Sequence, residues 1–147
     1  MILQENDITL RPYTLADATA LAKIANTAKI ADNLRDLFPH PYTIDDAKAF
    51  IQKNINGEIK GVFAIIYKDQ LVGSIGIHLQ PDVYRKTAEL GYFVAEKYWN
   101  KGIASKSIEL ITKYGFESLH LTRIFAGVFQ YNKASMRVLE KNGYILE

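Results

Sequence analysis

The stretch KYWNKGIASKS, Lys97 to Ser107, decides how the rest of the chain is read. It follows the apolar, β-prone ELGYFVA (Glu89–Ala95) and precedes a run in which Ile103, Ser107, Ile108, Ile111 and Phe116 keep helical spacing. The pattern predicts a strand, a short turn at Gly102 and a helix from Ile103 to about Leu119. The first turn of a helix leaves N–H groups unpaired, and the aligned peptide dipoles place roughly half a positive charge there. Such a turn receives anions. Gly102 lets backbone come close to an oxygen ligand, Ala104 and Ser105 leave room, and Lys101 adds charge. The competing reading is a glycine that only eases a strand-to-helix turn. Two other phosphate motifs fail on counting. No glycine precedes Lys106-Ser107 as a P-loop requires, and Gly102 alone lies between Gly91 and Gly115, so G-x-G-x-x-G is absent.

Upstream, ITLRPYT (Ile8–Thr14) alternates as a strand that Pro12 ends. TLAD and TIDD both fit the [ST]-x-x-[DE] capping box. After Thr14, Leu15, Ala18, Leu21, Ile24, Ala25 and Ala28 are spaced as a helix; after Thr43, Ala47, Phe50, Ile51 and Ile55 are too. Between them NLRDLFPHPYT carries Pro39 and Pro41 and reads as a loop. VFAIIYK (Val62–Lys68) and LVGSIGIHL (Leu71–Leu79) form a hairpin with its turn at Asp69 and Gln70. Downstream, RIFAGVF (Arg123–Phe129) is a strand, and Asn132 caps a helix that ends at Gly143. The order β-α-α-β-β-β-α-β-α-(β) predicts a mixed α/β (α+β) fold in one domain, residues 1–147. GYILE at the end reads as a C-terminal strand cut short.

Composition narrows the function classes. With 48% apolar and 23% charged residues the chain resembles ordinary globular protein. Without cysteine it has no disulfide, thiolate metal site or cysteine nucleophile. A formal charge of +2 is too small to indicate nucleic acid, and suits a small anionic ligand. No segment reads as a signal peptide or membrane span, so a cytoplasmic location is the default. His40 and His78 are separated and lack matching ligands, so no metal is expected.

YWNKGIA resembles motif A of the GNAT superfamily of acetyl-CoA-dependent N-acyltransferases, [QR]-x-x-G-x-[GA], with Trp99 in the first position. That departure is usual in the RimJ/RimL-like branch. NLRDLFPHPYTIDDAKAFI (Asn33–Ile51), AELGYFVAEKYW (Ala88–Trp99) and NKASMRVLEKNGY (Asn132–Tyr144) resemble the same branch in the same order. The resemblance implies a mainly antiparallel central sheet with a splayed parallel strand pair and flanking helices. It implies acetyl-CoA in the cleft between Glu89–Ala95 and Arg123–Phe129, pantetheine on the backbone of Phe93 and Val94, and pyrophosphate on amides of Asn100, Lys101, Gly102, Ile103, Ala104 and Ser105 next to Trp99.

It further implies direct attack of an amine on the thioester. The tyrosine that protonates the thiolate in many GNATs corresponds to Leu139, which excludes that acid. The serine used in the RimJ/RimL-like branch corresponds to Ser135, and Asn132 would orient the pantetheine. The alternatives are an Asn132 that only caps and a Ser135 that is only structural. Glu89, on one face with Gly91 and Phe93, is the candidate base; its alternative is an ion pair with Arg123 or Lys86. Arg35, Asp36 and Tyr42 are expected at the acceptor end. An α-amino group (pKa about 8) is neutralised at pH 7 for roughly 1–1.5 kcal/mol, against roughly 4.6 kcal/mol for lysine, so an N-terminal acceptor needs little base. A protein N-terminus and a small amine both remain as acceptors. A non-catalytic acyl-CoA-binding module is the alternative function, and a homodimer is compatible with the branch.

Overall fold

A computed structural model describes residues 2–26, 42–79, 86–98, 101–126, 137 and 139–144. Strands β1 (Leu3–Glu5) and β2 (Ile8–Arg11) form an N-terminal hairpin, followed by α1 (Ala18–Ala25), α2 (Ile44–Ile55), β3 (Val62–Tyr67), β4 (Gln70–Leu79), β5 (Thr87–Val94), α3 (Ile103–Glu117) and β6 (Arg123–Ala126). The six strands lie in chain order in one sheet. All neighbours are antiparallel except β5 and β6, which are parallel with Thr87 opposite Arg123 and Leu90 opposite Ala126. This is the mixed α/β sheet with flanking helices expected from the element order.

Each face of the sheet has its own core. Ile103, Ile108 and Ile111 of α3 pack on Leu10, Ile65, Ile75, Ile77, Leu90 and Val94. On the other face, Leu21, Ala22 and Ala25 of α1 and Ala47 and Ile51 of α2 pack with Tyr13, Tyr42 and Ala64, and Phe50 and Phe93 border them.

Local chemistry sets the element ends. Thr43 caps α2: its hydroxyl accepts the Asp46 N–H at 3.0 Å, and the Asp46 carboxylate accepts the Thr43 N–H at 2.9 Å. At the other box, Asp17 accepts the Thr14 N–H at 2.8 Å and a two-pronged pair from Arg11, both bonds 2.9 Å, so its carboxylate ties β2 to the helical entry. Gly143, at φ 86°, closes the last helical residues: Tyr144 N–H reaches the Leu139 carbonyl at 3.1 Å and Gly143 N–H that of Glu140 at 3.0 Å, a Schellman arrangement.

Several details differ from the sequence reading. The hairpin turn sits one residue earlier, at Lys68 and Asp69, both at positive φ as a type I′ turn demands. Strand β1 and its hairpin with β2 leave little trace in the sequence, because in LQENDIT (Leu3–Thr9) only Leu3 and Ile8 are apolar. Leu15, Ile55 and Phe116 share helical spacing with core residues yet are 48%, 52% and 43% exposed; Phe116 stands one residue past Gly115, which packs on Ile77, Leu121 and Ile124, and so turns off the covered face of α3. The last residues of the chain, 145–147, lie outside the described residues, as does RIFAGVF beyond Ala126.

Candidate active site

The turn at the head of α3 has the form an anion site needs. Gly102 caps the helix in the left-handed region at φ 79°, ψ 4°. A β-carbon there would meet nothing within 4 Å, so glycine is required by backbone conformation while the space in front stays open. Intrahelical bonding starts with the Lys106 N–H on the Gly102 carbonyl at 3.0 Å. The amides of Ile103, Ala104 and Ser105 precede that bond and donate to no other described residue. Ile103 is buried in the core, so it contributes backbone only; Lys101 is exposed beside the turn. The Ser105 hydroxyl accepts from the Asn142 side chain at 3.2 Å, tying this first turn to the C-terminal helical residues.

Strand β5 brings the second half of the site to the same end of the sheet. Ala88, Leu90 and Val94 point into the α3 core, which leaves Glu89, Gly91 and Phe93 on the α1/α2 face, as alternation predicted. The antiparallel register with β4 runs to Val94 opposite Gly73, whereas the described parallel register with β6 ends at Leu90. At the Phe93–Val94 end, β4 carries a bulge: Ile65 pairs with Gly73 and Ile66 with Leu71, leaving Val72 as the extra residue. Val72 turns into the α3 core, and its carbonyl accepts the Ala95 N–H at 2.7 Å. Gly73 permits the close approach, because a β-carbon there would stand 2.3 Å from the Phe93 carbonyl oxygen and 3.0 Å from Val94 Cα. Gly73 is thus a positioning residue for the Phe93–Val94 backbone, and only a glycine between apolar strand residues hinted at it.

Glu89 is half-buried, and among the described residues no ion pair joins it to Lys86 or Arg123. The Arg123 guanidinium lies 4.9 Å from the Phe125 ring centroid. Glu89 stands opposite His78 on β4 and Phe125 on β6. Tyr42, expected at the acceptor end, is a core residue only 3% exposed, packed in the α1/α2 layer. Asn26 fixes it there by donating to the Tyr42 carbonyl and accepting its N–H at 2.7 Å. Burial pushes the Tyr42 hydroxyl up to about 12, with Asp46 adding to the shift. Tyr13, buried beside Ser74 in the same layer, is pushed up further by burial. Leu139 is buried in the α3 core, consistent with a packing role. Arg35, Asp36, Trp99, Asn100, Asn132 and Ser135 lie outside the described residues. Among the described residues no group of three or more acidic, histidine or cysteine side chains could hold a metal, and no helix is long and apolar enough to cross a membrane.

The mixed sheet, with its parallel β5–β6 pair joined through the Gly102-capped α3, is the frame of GNAT-family acetyltransferases. The chain belongs to that class by family: residues 7–145 match the acetyltransferase (GNAT) domain. It is 43% identical to the uncharacterized N-acetyltransferase YoaA of Bacillus subtilis over 97% of this chain and 82% of that one. It is 30% identical to the ribosomal-protein-serine acetyltransferase of Escherichia coli over 70% of this chain and 59% of that one, and 24% identical to the spermidine N(1)-acetyltransferase of the same species over 97% and 75%. A GNAT-family acetyltransferase from Bacillus anthracis superposes with a TM-score of 0.83 at 29% identity, covering 97% of this chain and 82% of that one. The protein is an acetyl-CoA-dependent N-acetyltransferase of that family.

Proposed function

We propose that the protein transfers the acetyl group of acetyl-CoA to a primary amine by direct attack in a ternary complex, within one domain spanning residues 1–147. The observation that carries this reading is the open first turn of α3: a left-handed Gly102 followed by three amides without an acceptor among the described residues. Amides of residues 100–105 hold the pyrophosphate, Lys101 adds charge, and Trp99 flanks the turn. The backbone of Phe93 and Val94, held by Gly73, takes the pantetheine and supplies an N–H to the oxyanion. Glu89 accepts the proton of the attacking amine. A C–N bond forms, the C–S bond breaks, and the thiol leaves with a proton given by Ser135, while Asn132 orients the pantetheine. Arg35 and Asp36 meet the acceptor.

The acceptor is a protein N-terminal α-amino group or a small amine. Relatives named for a ribosomal protein and for spermidine support both. The test is release of free thiol from acetyl-CoA in the presence of a short peptide with a free N-terminal serine, or of spermidine, with mass spectrometry of the product. Ser135→Ala and Glu89→Gln are expected to keep coenzyme A affinity and each lower turnover by roughly 10²–10⁴-fold, the usual yield of a positioned acid or base. Tight coenzyme A binding with no turnover of any amine would instead favour the non-catalytic module.

A further inference from the structure

Near Glu89 two residues of the sheet carry no side chain of their own. On the α1/α2 face, β4 presents Ser74, Gly76 and His78, and β5 presents Phe93, Gly91 and Glu89, paired in that order across the ladder. Two glycines therefore stand directly opposite each other, where a β-branched or aromatic pair would ordinarily stabilise a sheet. Gly91 needs no glycine for its backbone, since its φ lies outside the left-handed region, and a β-carbon there would meet nothing within 4 Å. A β-carbon at Gly76 would lie 3.0 Å from a Val62 methyl and 3.5 Å from His78 Nε2. The imidazole of His78 thus leans along its strand over Gly76, while Glu89, whose Cα partner is His78, stands at the same end. Phe125, opposite Glu89 on β6, walls the third side.

Gly76 is buried under the Val62 methyl and the His78 imidazole, so the open space is that over the exposed Gly91. We propose that this space over Gly91 is the slot that receives the nitrogen end of the acceptor, and that His78 positions the amine there together with Glu89. The space over Gly91 admits the unbranched carbon next to a primary nitrogen, and two polar groups beside it give that nitrogen a hydrogen-bond partner besides the base. This inference rests on the acyl-transfer reading, and on Glu89 as its base.

The test uses the intact chain with spermidine and with the peptide bearing an N-terminal serine. Gly91→Ala places one methyl in the slot without backbone strain, and is expected to raise the amine KM by roughly tenfold or more, the scale of one misplaced methyl group. Coenzyme A affinity, read by calorimetry, stays unchanged. His78→Gln is expected to lower amine kcat/KM, and its effect in the Glu89→Gln background to be much smaller than in the wild type, since groups acting on one nitrogen are not additive. Adding either amine to the coenzyme A complex is expected to move the His78 imidazole resonances. Unaltered amine KM in Gly91→Ala together with full, additive activity loss in His78→Gln would overturn the slot while leaving acyl transfer intact. Loss in His78→Gln but none in Glu89→Gln would remove Glu89 as base and, with it, the shared positioning. If neither amine is acetylated nor shifts the His78 resonances, the slot is overturned as well.

Discussion

The two faces of the sheet are packed on different terms. The α3 face is closed with aliphatic bulk: Leu10, Ile65, Ile75, Ile77, Ile103, Ile108 and Ile111 are all at most 2% exposed. The α1/α2 face has small and aromatic side chains instead, with Ala22, Ala25, Ala47 and Ala64 around Tyr13, Tyr42 and Phe93. It also holds the buried Ser74 and, further along, the exposed Gly91. The first face anchors the sheet and delivers the head of α3 to the end of β5. The second is thinned where an acceptor would lie. Stability and function are therefore separable by face, and substitutions should sort accordingly.

The largest expected effect belongs to the α3 face. Ile111 is fully buried, and Ile111→Ala should cost about 2–5 kcal/mol of unfolding free energy through lost burial and the cavity left behind. Denaturant unfolding measures it. Acetyl transfer per folded molecule should change little below the transition, because Ile111 lies two turns from the Gly102 cap. A variant as stable as the wild type, or one stable but inactive, would break the division between the faces.

Gly102 sits where the two regions meet. Gly102→Val should weaken coenzyme A binding by roughly 1–3 kcal/mol, the order of losing well-placed bonds to a charged group. Valine is also strained at φ 79°, so its folding stability should fall too. Gly102→Asn separates these effects: asparagine tolerates the left-handed region, so it should spare stability and still weaken binding. Calorimetry on both variants reads the difference. Unchanged affinity in the folded asparagine variant would show that the turn does not face the ligand.

What the sequence made legible follows the same division. Periodicity revealed α3 and β5 because each buries one regular face, and Thr43, Gly102 and Gly143 marked boundaries through backbone chemistry that any chain must satisfy. The bulge at Val72 escaped notice. An extra residue in an apolar strand leaves the pattern VGSIGI looking regular, although it puts Val72 on the α3 face with Ile75 and Ile77, where unbroken alternation from Ile75 would put it on the other face. His78 was read only as a lone metal-ligand candidate, because its meaning depends on register: nothing in HLQPD indicates that residue 78 will face residue 89. Alternation placed Glu89 on its face, but could not show that Gly76 would be its neighbour's neighbour across the ladder.

The smallest effect sharpens the contrast through pH. Burial holds both Tyr13 and Tyr42 protonated well above the ordinary tyrosine value, Tyr42 to about 12. A group whose pKa is raised by folding contributes stability that is complete below its unfolded pKa, about 10, and is lost as pH climbs through the folded value. The fold should therefore weaken from about pH 10 upward, and for Tyr42 the loss should run to about pH 12. On the α3 face Tyr144 is also raised by burial, but the Thr112 hydroxyl, 2.9 Å away, works against the shift. Phenylalanine at either Tyr13 or Tyr42 removes a proton that must otherwise be lost from a dry site. Tyr13→Phe and Tyr42→Phe should each flatten the alkaline limb of stability against pH, while Tyr144→Phe changes it less. At pH 7 Tyr13→Phe should be nearly neutral, since the buried hydroxyl lies by Ser74 without a well-formed hydrogen bond. Thermal unfolding followed from pH 7 to pH 11 distinguishes these slopes. If Tyr144→Phe flattens the limb most, the buried hydroxyls of the α1/α2 face are not what makes the fold sensitive to alkali.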